Sequence, residues 1–133
     1  MSDGVIEPPY PFQRLVGFEM IEWSAERALL RLELRPEHGN RYGIPHGGLH
    51  ATLLDTAMGY AGCWTGDAAR RQHAMTLALN VIYLARPEGR VLLAEGRRIG
   101  GGRRTFFAEG EVRDELGTRV ARGTGTFRYR QGG

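Results

Sequence analysis

The residues best suited to chemistry lie in one stretch, from Asn40 to Asp55. Within it, the glycine pair Gly47-Gly48 follows His46 at the predicted start of a helix. Backbone N–H groups there lack intrahelical partners and favour negative charge, so this helix start is a candidate oxyanion hole. A glycine pair also serves a tight turn or close packing of a helix on a strand, and the pair alone does not separate these interpretations.

Asp55 lies in the same predicted helix among Leu, Ala, Met and Tyr residues. A carboxylate in such surroundings needs a partner or is retained for function, which makes Asp55 a candidate general base or nucleophile. The alternatives are a solvated helix face or a hydrogen bond in the core. Gly47 and Asp55 are separated by roughly 12 Å along a helix axis, so they cannot reach one carbonyl within a chain. If both serve one reaction, the protein is a homodimer with two shared sites.

The rest of the chain must position these residues. Residues 1–15, with Pro8, Pro9 and Pro11, are predicted to form an N-terminal arm that is neither a regular helix nor a central strand. Residues 16–130 are predicted to form one domain. A helix is predicted over residues 47–64, where apolar residues recur at spacings of three and four. Its small and apolar residues run almost all round, which is typical of a helix enclosed by a sheet.

Six strands are predicted around that helix. They cover residues 18–23, 28–34, 75–84, 91–99, 105–113 and 118–129, with glycine-bearing turns at 100–102 and 114–117. The sequence offers no second helix to connect parallel strands. The pattern therefore predicts an antiparallel α+β domain.

Composition narrows the classes of function. The 133 residues, 41% hydrophobic and 25% charged, suit one globular domain. No stretch approaches the roughly 18 apolar residues of a membrane span, and the first residues lack the pattern of a secretion signal. We therefore expect a cytoplasmic protein with no membrane partner. The single cysteine, Cys63, excludes an intramolecular disulfide and is predicted to be a buried, small apolar residue.

The positive charge is concentrated in the second half of the chain. Residues 1–85 carry seven arginines against nine acids, whereas residues 86–130 carry eleven against six, and there is no lysine. Arginines beside a glycine turn suit phosphate groups, and Arg103 and Arg104 are the strongest candidates. The alternative is that strand arginines are solvated. Because they alternate through strands without an aromatic platform, we expect no nucleic-acid partner.

These residues together resemble a known family, the hotdog-fold acyl-CoA thioesterases, and in particular their phenylacetic acid degradation branch. The resemblance rests on Asn40, on His46-Gly47-Gly48 with Asp55 nine residues beyond that histidine, and on the strand with Thr76 and Asn80-Val-Ile-Tyr83. It extends over about residues 15–130 and includes the order of the elements. It implies an antiparallel sheet wrapped around one long central helix.

The resemblance also implies catalytic roles. Gly47 would offer its N–H to the thioester oxygen, Asn40 would help to fix the same end, and His46 would lie close to the sulfur. Across a dimer interface, Asp55 would activate water or attack the acyl carbon, and Thr76 would help to hold the water. The sequence does not choose between general base and nucleophile.

Substrate binding is the second implied role. The substrate would be an acyl-CoA with an aryl or medium-size acyl group, and no cofactor is implied beyond the coenzyme A of the substrate. Relatives form homotetramers as pairs of dimers. The residues predicted to bind the substrate are Gly48, Tyr60, Arg103 and Arg104.

Two other classes of function stay open. A hotdog hydratase or dehydratase would pair His46 or His50 with Asp55, and a non-catalytic protein would only bind acyl-CoA. His46 and His50 are one helical turn apart, a spacing that metals can use. No third ligand is suggested nearby, so we predict no metal site.

Overall fold

A computed structural model describes residues 6–130 of the chain. The first five residues of the predicted arm lie outside the described residues. The chain forms, in order, the helix α1 (Pro11–Val16), the strands β1 (Glu19–Ser24) and β2 (Arg27–Glu33), a short 3-10 helix (Pro36–His38), the helix α2 (Gly47–Ala61), and the strands β3 (Ala74–Tyr83), β4 (Val91–Gly101), β5 (Thr105–Asp114) and β6 (Arg119–Tyr129).

The six strands form one antiparallel sheet in the order β1-β2-β4-β5-β6-β3, and α2 contacts all of them. This confirms the predicted antiparallel α+β architecture with one long helix. The buried face of α2 includes Leu53, Leu54, Ala57 and Met58, which pack in the core against strand residues. No helix among the described residues has the length and apolar character needed to cross a membrane.

One face of α2 is not covered by the sheet, although the helix packs against all six strands as predicted. Thr52, Asp55, Thr56 and Gly59 are only partly buried. The physical reason is that one sheet covers one side of a helix, and the small residues on the other side leave room for a cavity. Asp55 is therefore accessible to small molecules.

The N-terminal arm contains a helix, so the prediction of no regular helix in residues 1–15 was wrong for α1. Pro11 stands in the first turn of α1, where a missing N–H costs no intrahelical hydrogen bond. The buried Gln13 side chain accepts from the Tyr10 N–H at 3.4 Å and donates to the Phe18 carbonyl at 3.2 Å. These bonds tie α1 to the start of β1.

Two predicted boundaries shift because of residues that are distant in sequence. Helix α2 ends at Ala61 rather than at residue 64, and Gly62 follows it because an added Cβ would lie 2.3 Å from the Phe106 ring. Strand β4 continues through Gly101, whose φ of +127° suits glycine. The predicted turn at residues 100–102 therefore moves to 102–104.

Gly96, in the middle of β4, sets the distance between the sheet and α2. An added Cβ would lie 2.4 Å from the backbone carbon and oxygen of Ala57. Backbone atoms cannot rotate away as a side chain can, so Gly96→Ala forces α2 off the sheet. We expect the free energy of unfolding to fall by about 1–3 kcal/mol or more, measured by urea unfolding.

Gly102→Ala is the matched control, because an added Cβ there meets no described residue within 4 Å. We expect it to change the free energy of unfolding by less than about 0.5 kcal/mol. Equal stability of the two variants would contradict a close backbone contact at Gly96.

Candidate active site

Asp55 is held by the neighbouring strand as well as by α2. Thr76 of β3 donates a hydrogen bond from Oγ1 to Asp55 Oδ1 at 2.6 Å. Thr76 faces the helix because it pairs with Phe127 of β6, whose ring is buried in the core. The other carboxylate oxygen, Oδ2, accepts no hydrogen bond from residues 6–130. The structure thus brings two predicted site residues together and leaves one oxygen available.

Asp55 and Thr76 line a cavity of about 240 Å³. Three aromatic rings contribute to its wall, and one of them, Tyr60, is a predicted substrate-binding residue. The remaining wall combines small and polar side chains. The full lining is Glu7, Tyr10, Asp55, Thr56, Gly59, Tyr60, Cys63, Gln72, His73, Ala74, Thr76 and Phe127.

The N-terminus of α2 forms a second feature. The N-cap is His46, whose Nδ1 accepts from the Gly48 N–H at 2.8 Å. The Gly47 N–H donates to no acceptor within residues 6–130, and the Gly47 carbonyl accepts from the Tyr83 hydroxyl at 2.8 Å. The Gly47 N–H is thus available as an oxyanion donor, whereas the Gly48 N–H is engaged by the cap.

Asn40 shapes the loop that leads to this helix. Its Oδ1 accepts hydrogen bonds from the N–H groups of Tyr42 at 2.8 Å and Ile44 at 3.3 Å. Its own N–H donates to the Ile44 carbonyl at 2.8 Å. Asn40 therefore fixes the backbone that precedes His46.

The Asp55–Thr76 pair and the N-terminus of α2 lie at opposite ends of β3. Thr76, with Asp55, stands near its first residues, and Tyr83, with Gly47, is its last. At about 3.3 Å per residue, these ends are roughly 20 Å apart. Within one chain the structure therefore does not bring Gly47 and Asp55 together.

Arg103 and Arg104 are exposed in the turn between β4 and β5. The Arg104 carbonyl accepts from the Tyr129 N–H at 2.8 Å, and Tyr129 pairs with Ala74 of the cavity wall. Neither arginine forms an ion pair within residues 6–130. They lie at the same end of the sheet as the cavity, with their guanidinium groups open to solvent.

Two further titratable side chains are buried. Burial lowers the pKa of His50 to about 4, which keeps it neutral at pH 7, and its Nδ1 has no partner among the described residues. Burial raises the pKa of the Cys63 thiol to about 12, so that it stays protonated and fits the predicted small apolar residue. The described residues contain no group of three or more His, Cys, Asp and Glu side chains placed to hold a metal.

A larger cavity of about 400 Å³ lies on the other face of the sheet. Gly96, Gly110 and Gly123 face the helix from three neighbouring strands. Side chains alternate between the two faces of a strand, so the charged residues next to these glycines point away from the helix and into this cavity. Among the charged residues of the cavity wall, Arg119 and Glu111 pair at 2.6 Å. Since this cavity contains none of the predicted catalytic residues, we assign the candidate site to the cavity that Asp55 and Thr76 line.

Sequence reasoning missed two contacts of the site. Tyr83 belongs to the family motif and Tyr10 to the predicted arm, but the sequence predicts no contact with the site for either residue. The bond from Tyr83 to Gly47 and the position of Tyr10 beside Asp55 join residues that are distant in sequence. No local pattern marks such contacts.

Comparison with known proteins places this arrangement in a family. Residues 42–121, more than half of the chain, match the family model of the Thioesterase superfamily. A protein of Halobacterium salinarum that is provisionally described as an esterase is 35% identical over an alignment of 97 residues, and the match covers 68% of this chain and 64% of that protein. The chain thus spans less than two thirds of that relative.

Solved structures agree with this assignment. A Bacillus halodurans protein solved with CoA is 33% identical, with 92% of this chain and 80% of that chain covered and a TM-score of 0.77. A mutant form of the phenylacetic acid degradation protein PaaI from Thermus thermophilus is 26% identical, with 90% and 98% covered and a TM-score of 0.76. The chain therefore belongs to the hotdog-fold thioesterase superfamily, in a PaaI-like branch, as the sequence resemblance implied.

Proposed function

We propose that the protein hydrolyses acyl-CoA thioesters with aryl or medium-size acyl groups to the free acid and coenzyme A. The observation that carries this proposal is the Asp55 carboxylate in the cavity wall, with Oδ1 held by Thr76 and Oδ2 available. Family membership supports the reaction, and the CoA in the Bacillus halodurans relative supports the class of substrate.

Asp55 supplies the attack on the acyl carbon in one of two ways. As a general base, Oδ2 takes a proton from water, and the resulting hydroxide attacks the carbon. As a nucleophile, Oδ2 attacks directly and forms a mixed anhydride that water then cleaves. In both, the C–S bond breaks and the coenzyme A thiolate leaves. When water cleaves the anhydride at the Asp55 carbonyl carbon, a single turnover in ¹⁸O-labelled water leaves the label in the Asp55 carboxylate, whereas the general-base route places it in the product acid.

Gly47 stabilises the opposite side of the carbonyl. Its N–H stands in the first turn of α2, where the helix dipole favours negative charge, and it has no acceptor within residues 6–130. A developing oxyanion takes that position. Asn40 and the His46 cap fix the backbone from which this N–H projects.

A second copy of the chain brings these two groups together. Strand β3 is at the end of the sheet, and within the described residues its outer edge pairs with no strand. Such an apolar edge is a template for another chain. Its large exposed apolar residues are Met75, Leu77, Leu79, Ile82 and Tyr83.

Antiparallel pairing of β3 with the β3 of a second copy fits the spacing of the site. It places the Tyr83 end of one strand beside the Thr76 end of the other. Gly47 of one copy then approaches Asp55 of the other, and the two-fold axis generates two equivalent sites. The homodimer is therefore part of the proposal, and a homotetramer would join two such dimers.

Leu77→Lys tests the dimer. A lysine in each copy would place like charges at the paired edges, so we expect a monomer by light scattering, with thioesterase activity lost. Leu116→Lys is the control, because Leu116 is also exposed but lies in the turn between β5 and β6. A Leu77→Lys variant that stays both dimeric and active would contradict pairing through β3.

The coenzyme A moiety requires cationic contacts. We assign its phosphates to Arg103 and Arg104, which are exposed, unpaired within residues 6–130 and at the cavity end of the sheet. Arginine binds phosphate oxygens in a bidentate manner.

A substrate panel tests the function directly. Purified protein is given aryl- and fatty-acyl-CoA thioesters, and we expect release of free thiol with kcat/KM highest for aryl or medium-size groups. The same protein is assayed for hydration of enoyl-CoA. Hydration without thiol release would identify a hydratase, and calorimetric binding without turnover would identify a binding protein.

A further inference from the structure

The segment from Ile6 to Tyr10 covers the open face of α2. Glu7 and Tyr10 line the same cavity as Asp55. Tyr10 lies close to Thr56, the residue that follows Asp55, in the wall of this cavity. Glu7 forms an ion pair with Arg71 at 3.8 Å on the far side of the cavity. The arm thus bridges the cavity from the helix to the loop before β3.

The arm is fixed to the domain at its other end. The Arg35 guanidinium donates to the carbonyls of Leu15 and Val16 at 2.9 and 2.8 Å, and the His38 ring contacts the Val16 carbonyl at 2.7 Å. The buried Gln13 adds its bonds to Tyr10 and to the Phe18 carbonyl. These anchors hold the backbone at Tyr10 in one position.

The ring of Tyr10 is held as well. It packs edge-on against the Phe18 ring, with centroids 6.3 Å apart. Burial raises the pKa of its phenol, the nearby Thr56 side chain lowers it, and the nearby Asp55 carboxylate raises it further. The phenol is therefore neutral at pH 7, and the ring is a fixed wall rather than a second base.

We propose that Tyr10 is a specificity-determining residue that limits the size of the acyl group beside Asp55. This inference rests on the proposed function, because an acyl group whose carbonyl meets Asp55 extends into the cavity that Tyr10 closes. The cavity of about 240 Å³ is smaller than the roughly 300–1,000 Å³ of pockets for drug-sized ligands. A compact acyl group such as phenylacetyl fits it better than a long chain.

Variants of Tyr10 test this proposal through the ratio of the kcat/KM values for a long and a compact substrate. We measure kcat/KM for decanoyl-CoA and for phenylacetyl-CoA. Tyr10→Ala removes the wall, and we expect the decanoyl to phenylacetyl ratio to rise at least about tenfold. Tyr10→Phe keeps the ring, and its ratio should stay within about threefold of the wild type. Tyr10→Leu makes the same comparison if Tyr10→Ala does not fold.

Phe12→Ala is the matched control, since Phe12 lies in α1, is 51% exposed and does not line the cavity. We expect it to leave the ratio unchanged. If Tyr10→Ala lowers kcat/KM for both substrates equally, Tyr10 has only a structural role and the proposal is overturned.

Thioether analogues of the substrates test the role of Tyr10 independently of the proposed hydrolysis. S-phenethyl-CoA and S-decyl-CoA have no carbonyl to hydrolyse, and calorimetry measures their binding. If the wild type hydrolyses no thioester but Tyr10→Ala shifts the ratio of the two affinities, the hydrolase proposal fails and the role of Tyr10 stands. If hydrolysis proceeds and neither ratio moves, or if the protein neither hydrolyses a thioester nor binds either analogue, the role of Tyr10 is rejected.

Discussion

Asp55→Asn is expected to lower kcat for thioester hydrolysis at least about 10³-fold, because an amide neither takes a proton from water nor attacks the acyl carbon. The change keeps the size of the side chain, and its carbonyl oxygen still accepts the hydrogen bond from Thr76. KM should therefore change little. Steady-state release of thiol from the best substrate of the panel measures both constants.

The control for Asp55→Asn is Asp67→Asn. Asp67 is an exposed carboxylate in the loop between α2 and β3, outside the cavity. Its side chain accepts a hydrogen bond from the Ala69 N–H at 2.9 Å, which an asparagine oxygen also accepts. We expect full activity. An Asp55→Asn enzyme that keeps more than about a tenth of the wild-type kcat would contradict a chemical role for this carboxylate.

The strands and α2 could be predicted to within a few residues because their signals are local. Leu30 and Leu32 alternate with charged residues on β2, and the apolar residues of α2 follow a helical period. The boundaries that differ depend on contacts across the fold. Phe106 packs where Gly62 follows the helix, and the periodic pattern of residues 47–64 contains no information about that ring.

The residues of the candidate site also differ in whether a local signal in the sequence identifies them. Gly47 and Asp55 could be identified from residue type and from their separation along one helix. Thr76 was identified by the family resemblance, and its 2.6 Å bond to Asp55 depends on the pairing of β3 with β6. Tyr10 and Tyr83 could not be assigned, because their contacts depend on how the arm and the edge strand meet α2.

Gly47→Pro is expected to lower kcat by about 10²–10³-fold, because proline has no N–H to donate to an oxyanion. Gly47 is the first residue of α2, a position where proline is well tolerated. His46, with ψ of 139°, already has the extended conformation that precedes proline. An added Cβ lies 3.4 Å from the Tyr83 ring, an ordinary contact. The helix should therefore form normally, as circular dichroism and thermal unfolding will check.

Gly47→Ala is the control for this loss, since alanine adds the same Cβ and keeps the N–H. We expect it to retain most of the activity, and equal losses in both variants would attribute the effect to crowding. Mixing Gly47→Pro with Asp55→Asn then tests whether the two residues act across a dimer. Exchange of subunits makes half of the dimers mixed, each with one intact site, so activity should recover to about a quarter of the wild type. No recovery after proven exchange would mean that both residues act within one chain, despite the roughly 12 Å that separates them along α2.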